Sequence, residues 1–446
     1  VPHRDFYNLP KVDLHLHLDG SMSPKTLLRL AKRKGIRELP EKKLKELEKK
    51  VTLKEVFDSL PLFLYDLSID VLVLRADRDT FHRFDKFNLK YNPVGESRLR
   101  EIFLKTDNYI NGAYLAGLLK EVFSDLEESK YQNAEYRLSI YGRSRDEWDK
   151  LASWIVDNKV YSPNVRWLPQ AIRRLAYEAA EDFAADGVVY LELRFSPLFL
   201  ATLDPQSIPH PELHVVLAVK DGFDAAEREF GDFIKARLIL SKIRHTAKFP
   251  EEWLEEIAEL ATYYRDYGIV GIDLLGDEEG GGPRLFLYAF AEARKHGLHL
   301  TPHAGEAGGP QSVVEALLLD ALLLGAERIG HGIRLAKDPV LLYLLAERLK
   351  QIPIEVCPLS NVALGAVASY AKHPLKEFFK AGVPVSLSTD DPLQFGYTKE
   401  PPLSEEYTIA AQVVAGLDEE DLCELARNSV KSSGLSDEEK AALLGK

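Results

Sequence analysis

The 446-residue chain has little sulfur, with two cysteines and one methionine. Cys357 and Cys423 are far apart in sequence, so we do not expect a disulfide framework. This fits a protein of a reducing compartment, the cytoplasm. No apolar run approaches the roughly 20 residues that a membrane span needs, and the N-terminal segment has no signal-peptide hydrophobic region. We therefore expect a soluble cytoplasmic protein without a membrane partner. A chain that begins at Val1 also suits an excised domain.

Positive charge is scarce as well. Lysine and arginine total 57 against 70 acidic residues, which gives a formal net charge of −13. Such a chain is disfavoured as a partner of nucleic acid, because phosphate groups would repel it. Hydrophobic residues make up 46% of the sequence, enough for a large core. At this length one elaborated α/β barrel or two ordinary domains are both possible.

Short apolar runs alternate with amphipathic helical stretches from about residue 170 onward. This alternation predicts a parallel sheet with helices outside it. Together with one run near the start there are eight strand candidates, KVDLHLHL, GVVYLELRF, ARLILSKIRH, GIVGIDLLG, LHLTPHAG, RIGHG, QIPIEVCP and VPVSLSTDD. We predict an α/β fold, a single (β/α)8 TIM-type barrel over residues 1–446, with its active site at the C-terminal ends of the strands.

The region at about 50–170 interrupts this pattern. We predict an inserted helical and extended segment between the first and second barrel strands. Two pieces of it, AEYRLSIYGRS and PNVRWLPQA, are strand candidates too. The chain therefore has more candidate strands than an eight-stranded barrel can use.

Polar side chains stand at the ends of the predicted strands. His15 and His17 end the first strand and face the same side, because alternate residues of a strand do. His303 ends the fifth strand, and Asp390 and Asp391 end the eighth. Three imidazoles and a carboxylate suit one Zn²⁺ ion per chain with water at an open position. Taken singly, the histidines could be hydrogen-bonded interior groups and the aspartates could cap a helix.

Two more side chains complete a candidate reaction centre. Glu306 follows His303 by three residues, placed to exchange a proton with a substrate, although alone it could be a solvated loop residue. His331 lies between two glycines, which allow close backbone approach. Zinc lowers the pKa of bound water to about 7. With His331 and Asp390 orienting that water, and Glu306 protonating a ring nitrogen, attack at the adjacent carbon would expel ammonia.

The motifs DLHLHLDG, HAGEAGG, RIGHG, CPLSN and SLSTDDPL resemble the adenosine and AMP deaminase superfamily of zinc-dependent barrels. The resemblance implies four metal ligands, His15, His17, His303 and Asp390. It implies that Glu306 donates a proton and that His331 lies beside the attacking water. It also implies that Asp391 holds the purine N7 and that the backbone of Gly276 donates toward the purine.

Both ends of the chain are closest to AMP deaminase. In that family the KFNxKYNPVG stretch contributes to the nucleotide site, and lysines suit a 5′-phosphate, although KFNLK alone would more often be a solvated stretch. The corresponding residues are Lys86, Lys90, Tyr91, Asn92, Pro93, Val94 and Gly95. The residues implied on the base side are Asp391, Pro392, Leu393 and Gln394.

The middle of the chain is similar to adenosine deaminase instead. The segment HLHLDGSMSPKTLLRLAKRKG near the start is of the same type, and there the resemblance implies that Asp19 accepts a hydrogen bond from a ribose 5′-hydroxyl. If the substrate carried a phosphate there, the Asp19 carboxylate would repel it. For two unit charges at close range in a medium of intermediate dielectric constant, this repulsion is about 4 kcal/mol. AMP deaminases use the equivalents of AEYRLSIYGRS and PNVRW as barrel strands two and three, and adenosine deaminases use those of VVYLELRFSP and RLILSKIRH. The chain thus resembles a hybrid, engineered or recombined, in which we expect the later pair to close the barrel and the earlier segment to form a lid or side layer.

The resemblance favours hydrolytic deamination of AMP to IMP and ammonia, a small-molecule substrate and a homo-oligomer. Adenosine deamination is the first alternative. A cyclic-amide hydrolase is a second, disfavoured because GIVGIDLLGDE offers no lysine to bridge two metals. A catalytically silent scaffold is the third, since a hybrid that packs poorly would misplace the ligands.

Overall fold

The computed structural model describes residues 6, 9–21, 71–76, 101–103, 136–141, 165–200, 211–231, 234–244, 253–278, 286–318, 326–340, 342–343, 352–392, 402–413 and 417–445. Strands in these residues are β1 (Lys11–His17), β2 (Val71–Ala76), β3 (Glu101–Phe103), β4 (Tyr136–Tyr141), β5 (Val165–Pro169), β6 (Val188–Phe195), β7 (Lys235–Ile243), β8 (Ile269–Leu275), β9 (His299–Leu300), β10 (His303–Ala304), β11 (Ile329–His331), β12 (Ile354–Val356) and β13 (Val385–Leu387). Helices are α1 (Gln170–Ala185), α2 (Pro197–Leu200), α3 (Pro211–Phe230), α4 (Trp253–Tyr263), α5 (Leu287–Lys295), α6 (Pro310–Leu318), α7 (Pro358–Ala363), α8 (Leu375–Lys380), α9 (Pro402–Val413), α10 (Glu419–Ser432) and α11 (Asp437–Leu444).

The predicted barrel strands form two parallel sheets, with the orders β1-β6-β7-β8-β9 and β10-β11-β12-β13. Only Thr301 and Pro302 separate β9 from β10, so these two are pieces of one strand. A parallel bridge between Leu16 and Asp390 joins β1 to the residues just after β13. The resulting order of eight parallel strands, with helices between them, confirms the predicted α/β barrel fold.

The surplus strand candidates lie outside that order. β2, β3, β4 and β5 form a separate sheet, ordered β3-β4-β2-β5, in which β2 is antiparallel to both neighbours. β5 lies beside α3, and β2 beside α1, so this sheet is a side layer against barrel helices. The prediction that the later pair supplies barrel strands two and three is confirmed, since β6 lies next to β1 and β7 next to β6. The insertion bounds of about 50–170 stay a prediction.

The sequence of β6 is consistent with its place in the barrel. The β6 sequence VVYLELRF is mostly apolar, which suits a strand covered on both faces. All but one of the β6 residues are buried.

The main hydrophobic core lies between the strands and the surrounding helices. Leu193 of β6 and Leu240 of β7 join Phe183, Phe223 and Phe290 from α1, α3 and α5 in one buried cluster. No helix within the described ranges is long and apolar enough to cross a bilayer.

The inner face of the barrel is polar. In β1, Val12 and Leu14 pack outward in a cluster with Val430 of α10, while Asp13 and His15 lie on the opposite face, because strand side chains alternate. Asp13 and His15 are both fully buried. Buried polar groups need partners, and here they are arranged around the C-terminal ends of the strands.

Candidate metal and catalytic centre

The end of β1 and the residue pair after β13 meet through their backbones. The Asp390 N–H donates to the His15 carbonyl at 2.8 Å, and the His17 N–H donates to the Asp390 carbonyl at 3.0 Å. Asp390 Oδ1 consequently lies 3.5 Å from His15 Nε2 and 3.3 Å from His17 Nε2. Two strand ends that are distant in sequence thus present three metal-binding side chains together.

His303 joins this group from β10. Its Nε2 lies 3.3 Å from His17 Nε2, and its ring centroid lies 4.5 Å from that of His15. The structure therefore brings together the four predicted ligands, His15, His17, His303 and Asp390.

His331 lies closer to the metal ligands than the sequence suggested. Ligand atoms of His15, His303, His331 and Asp390 all lie within 4.8 Å of one another, and those of His17, Asp19 and Asp391 form a second such group. His15 Nε2 is buried and makes no hydrogen bond within the part of the chain that the structure describes. An unpaired buried nitrogen among imidazole and carboxylate donors is what a divalent metal ion requires, so these residues fit a metal site.

Two members of the group have strained backbones. His331 has φ of 62° and Asp390 has φ of 63°, the positive-φ residues other than glycine within the described part of the chain. Such conformations cost about 1–3 kcal/mol each and persist where the surroundings enforce them, commonly at active sites. In these backbone conformations both side chains lie within the group of candidate metal ligands.

Gly330 precedes His331 and leaves no room for a side chain. A Cβ there would lie 2.9 Å from His15 Cε1 and 3.2 Å from His303 Cα. We expect Gly330→Ala to displace these histidines and lower metal affinity by at least about tenfold, a loss typical of disturbed ligand support. Gly309→Ala is the matched control, because nothing lies within 4 Å of a Cβ at that position. Competition titration with a metal-binding dye measures the difference; equal affinities for the two variants would contradict the packing argument.

Buried groups outside the predicted set orient the ligands. Asp273 Oδ1 accepts from His303 Nδ1 at 2.9 Å, and Glu355 Oε2 from His15 Nδ1 at 2.7 Å. Ser360 Oγ donates to Asp390 Oδ2 at 2.6 Å. Carboxylates in this position fix the tautomer and ring orientation of metal-binding histidines. Sequence reasoning missed them, although a charged residue inside the apolar runs GIVGIDLLG and QIPIEVCP was the available signal.

Glu306 is buried beside the metal-binding group. Its Oε1 has no hydrogen-bond partner among the described residues, and its Oε2 lies 3.7 Å from His331 Nε2. Burial, followed by the charges of Asp390, Glu278 and Asp391, raises the pKa of Glu306 well above its ordinary value. The raised pKa favours the protonated form of this carboxyl, whose unpaired Oε1 is available to a ligand.

His331 is held in a chain of side chains. Asn361 Nδ2 lies 3.1 Å from His331 Nδ1, and His373 Nε2 lies 3.2 Å from Asn361 Oδ1. Donation by the Asn361 amide makes His331 Nδ1 the acceptor, which leaves Nε2 facing the centre. Burial lowers the pKa of His331 well below its ordinary value and that of His303 to about 4. Neutral imidazoles are the metal-binding form.

The predicted substrate residues are placed unevenly. Asp391 and Asp19 lie together at the rim, partly buried, and Asp391 packs so tightly on Gly20 that a Cβ there would lie 1.9 Å from Asp391 Oδ1. Burial, followed by the nearby charges of Asp390 and Asp19, raises the pKa of Asp391. Gly276 ends β8 with φ of 99°, and its carbonyl accepts from Arg244 at 2.8 Å.

The remaining predicted substrate residues divide into two groups. Pro392 is buried next to Asp391. The other predicted positions lie outside the described residues, namely Lys86, Lys90, Tyr91, Asn92, Pro93, Val94, Gly95, Leu393 and Gln394.

Comparison with solved structures identifies the class. The fold matches adenine deaminase from Arthrobacter aurescens with a TM-score of 0.65 and 23% sequence identity, over 98% of this chain and 97% of that chain. The chain is therefore an α/β barrel of this class, with histidine and aspartate side chains gathered at the carboxyl ends of its parallel strands.

Sequence comparison identifies the family within this class. A family model described as AMP deaminase matches residues 1–446, including the middle that resembles adenosine deaminase. The AMP deaminase of Saccharomyces cerevisiae is 48% identical over 449 residues, covering 100% of this chain and 51% of the yeast protein. AMP deaminase 1 of Mus musculus is 46% identical over 445 residues, covering 100% and 55%. The chain belongs to the AMP deaminase family and spans about half the length of these curated relatives.

Proposed function

We propose that this chain catalyses the hydrolytic deamination of AMP to IMP and ammonia, with one Zn²⁺ ion per chain. The observation that carries the proposal is the buried carboxyl of Glu306, unpaired at Oε1, beside a set of imidazole and carboxylate donors. Membership of the AMP deaminase family, with relatives named for that reaction, supports AMP as the substrate.

Zinc suits the donor set, because nitrogen and carboxylate ligands with one open position are its usual catalytic environment. His15, His17, His303 and Asp390 would hold the ion, and His331 lies close enough to bind the reacting water. A bound zinc ion supplies a water that ionises near neutral pH.

The protein groups then divide the proton transfers. Glu306 donates its proton to a purine ring nitrogen, which makes the adjacent carbon a better electrophile. The His331 Nε2–H donates a hydrogen bond that would orient the attacking water, and the Asp390 carboxylate would accept its proton. Asp391, at the rim, is placed to accept or donate a hydrogen bond to the base. Loss of ammonia from the same carbon completes the exchange of nitrogen for oxygen.

Adenosine is the second candidate substrate because of Asp19. This carboxyl lies with His17 and Asp391, where their ligand atoms are within 4.8 Å of one another. A carboxylate there favours a ribose hydroxyl and disfavours a phosphate. Lys86 and Lys90 would have to offset that repulsion for AMP to be preferred. Cytoplasmic location and self-association stay predictions.

The test is to purify the protein with zinc and supply AMP and adenosine separately. We expect ammonia release and the ultraviolet change of deamination to be faster with AMP, to stop on chelation and to return with Zn²⁺. Faster turnover of adenosine would show that Asp19 outweighs the lysines. Zinc bound at one per chain without turnover of either substrate would rule out the deaminase assignment in favour of a silent scaffold.

A further inference from the structure

Glu278 lies just beyond β8 and is absent from the predicted site. Its side chain is only 3% exposed. Its Oε1 accepts from the backbone N–H of Gly305 at 2.6 Å, and its Oε2 from those of Glu306 at 3.1 Å and Ala307 at 2.7 Å. The N–H of Gly308 also donates to Oε2. One carboxylate thus binds four consecutive backbone amides.

Two further donors surround this carboxylate. Ser312 Oγ, in the first turn of α6, donates to Oε1 at 2.8 Å, and Arg244 Nη2 lies 4.0 Å from the same oxygen. Burial alone would raise the pKa of Glu278, but Arg244 and these hydrogen bonds outweigh it and lower the pKa. The group is therefore an ionised acceptor, which converging N–H donors require.

The four amides belong to the turn that carries Glu306. Among the described residues the Glu306 side chain has no hydrogen bond of its own at Oε1, and its other oxygen is 3.7 Å from His331. Its position is consequently set through its backbone, which Glu278 holds at the amide and Arg334 Nε holds at the carbonyl, 2.8 Å away. General acids must lie within hydrogen-bond reach of the atom that they protonate.

We propose that Glu278 is a positioning residue for the reaction, holding the 305–308 turn so that the Glu306 carboxyl reaches the purine ring nitrogen. This role rests on the proposed function. It differs from simple anchoring of α6, because it predicts that the effect of Glu278 on turnover passes through Glu306.

Glu278→Gln is the first test, because an amide group would point N–H donors at the turn amides. We expect amide hydrogens of residues 305–308 to lose exchange protection and turnover of AMP to fall about a hundredfold, the cost of misplacing a catalytic group by about 1 Å. Zinc content should stay the same, and KM should change by less than about threefold, since ground-state binding does not need the proton. Glu327→Gln is the matched control, because Glu327 pairs with Arg294 and His299 at the opposite end of the barrel.

A double-mutant cycle separates positioning from general structural support. In a Glu306→Gln background, Glu278→Gln should lower the residual rate by less than about threefold, because the group that it positions is already gone. An equal hundredfold loss in both backgrounds would overturn the proposal, as would near-normal turnover of Glu278→Gln after loss of amide protection. Absence of turnover in the unmodified zinc-loaded protein is a different result, since it overturns the deaminase function itself.

Discussion

Glu306→Gln should keep its metal and lose turnover of AMP by about a thousandfold, within the range that general acid catalysis contributes. A glutamine side chain has nearly the same shape and preserves the packing of a residue that is 5% exposed. It has no acidic proton to give to the ring nitrogen. The raised pKa of Glu306, caused first by burial, favours the protonated carboxyl that this role requires.

The measurement is steady-state ammonia release, with zinc content determined on the same preparation. Glu292→Gln is the control, because Glu292 pairs with Lys295 and His296 on the exposed face of α5. Near-normal turnover of Glu306→Gln would show that another group supplies the proton. Loss of zinc from that variant would make Glu306 part of the metal site instead.

The fold could be predicted from the sequence because its signals are local. Alternation of apolar runs and helical stretches specified the parallel strands, and motif order placed His15, His303 and Asp390 at strand ends. The place of β6 in the barrel also had a local basis, since VVYLELRF suits a strand covered on both sides. The alternation of strand and helix patterns could not show that the two earlier strand candidates, β4 and β5, belong to a separate sheet with β2 and β3.

The supporting part of the site was harder to predict, because its contacts are distant in sequence. Glu355 reaches His15 across 340 positions, and Glu278 reaches the Glu306 turn across 28. The charge inside the apolar run QIPIEVCP marks Glu355 as unusual, but no local pattern shows which residue Glu355 or Glu278 contacts. The backbone strain at His331 and Asp390 is likewise a consequence of strand ends meeting, and it explains why His331 approaches the ligands so closely.

Glu355→Gln should weaken both the fold and the metal site. Glu355 is fully buried, where Oε1 accepts from Arg328 Nε at 2.6 Å and Oε2 from Arg194 Nη2 at 2.8 Å, beside the His15 contact. Although burial alone would raise it, Arg194 and Arg328 lower the pKa of Glu355. Removing its charge leaves two buried guanidinium groups undercompensated, which costs about 3–5 kcal/mol in comparable buried pairs.

The expected loss of zinc affinity follows from the contact between Glu355 and His15. Without the carboxylate at Nδ1 the imidazole loses the partner that fixes its tautomer, so we expect zinc affinity to fall by about 10- to 100-fold. Denaturant unfolding of the metal-free protein measures the first effect, and competition titration of zinc the second. Glu377→Gln, at the exposed start of α8, is the control. Both measurements are needed because the same carboxylate oxygen, Oε2, contacts Arg194 and His15. A destabilised variant with unchanged zinc affinity would mean that Glu355 balances the charge of the arginines and does not orient His15.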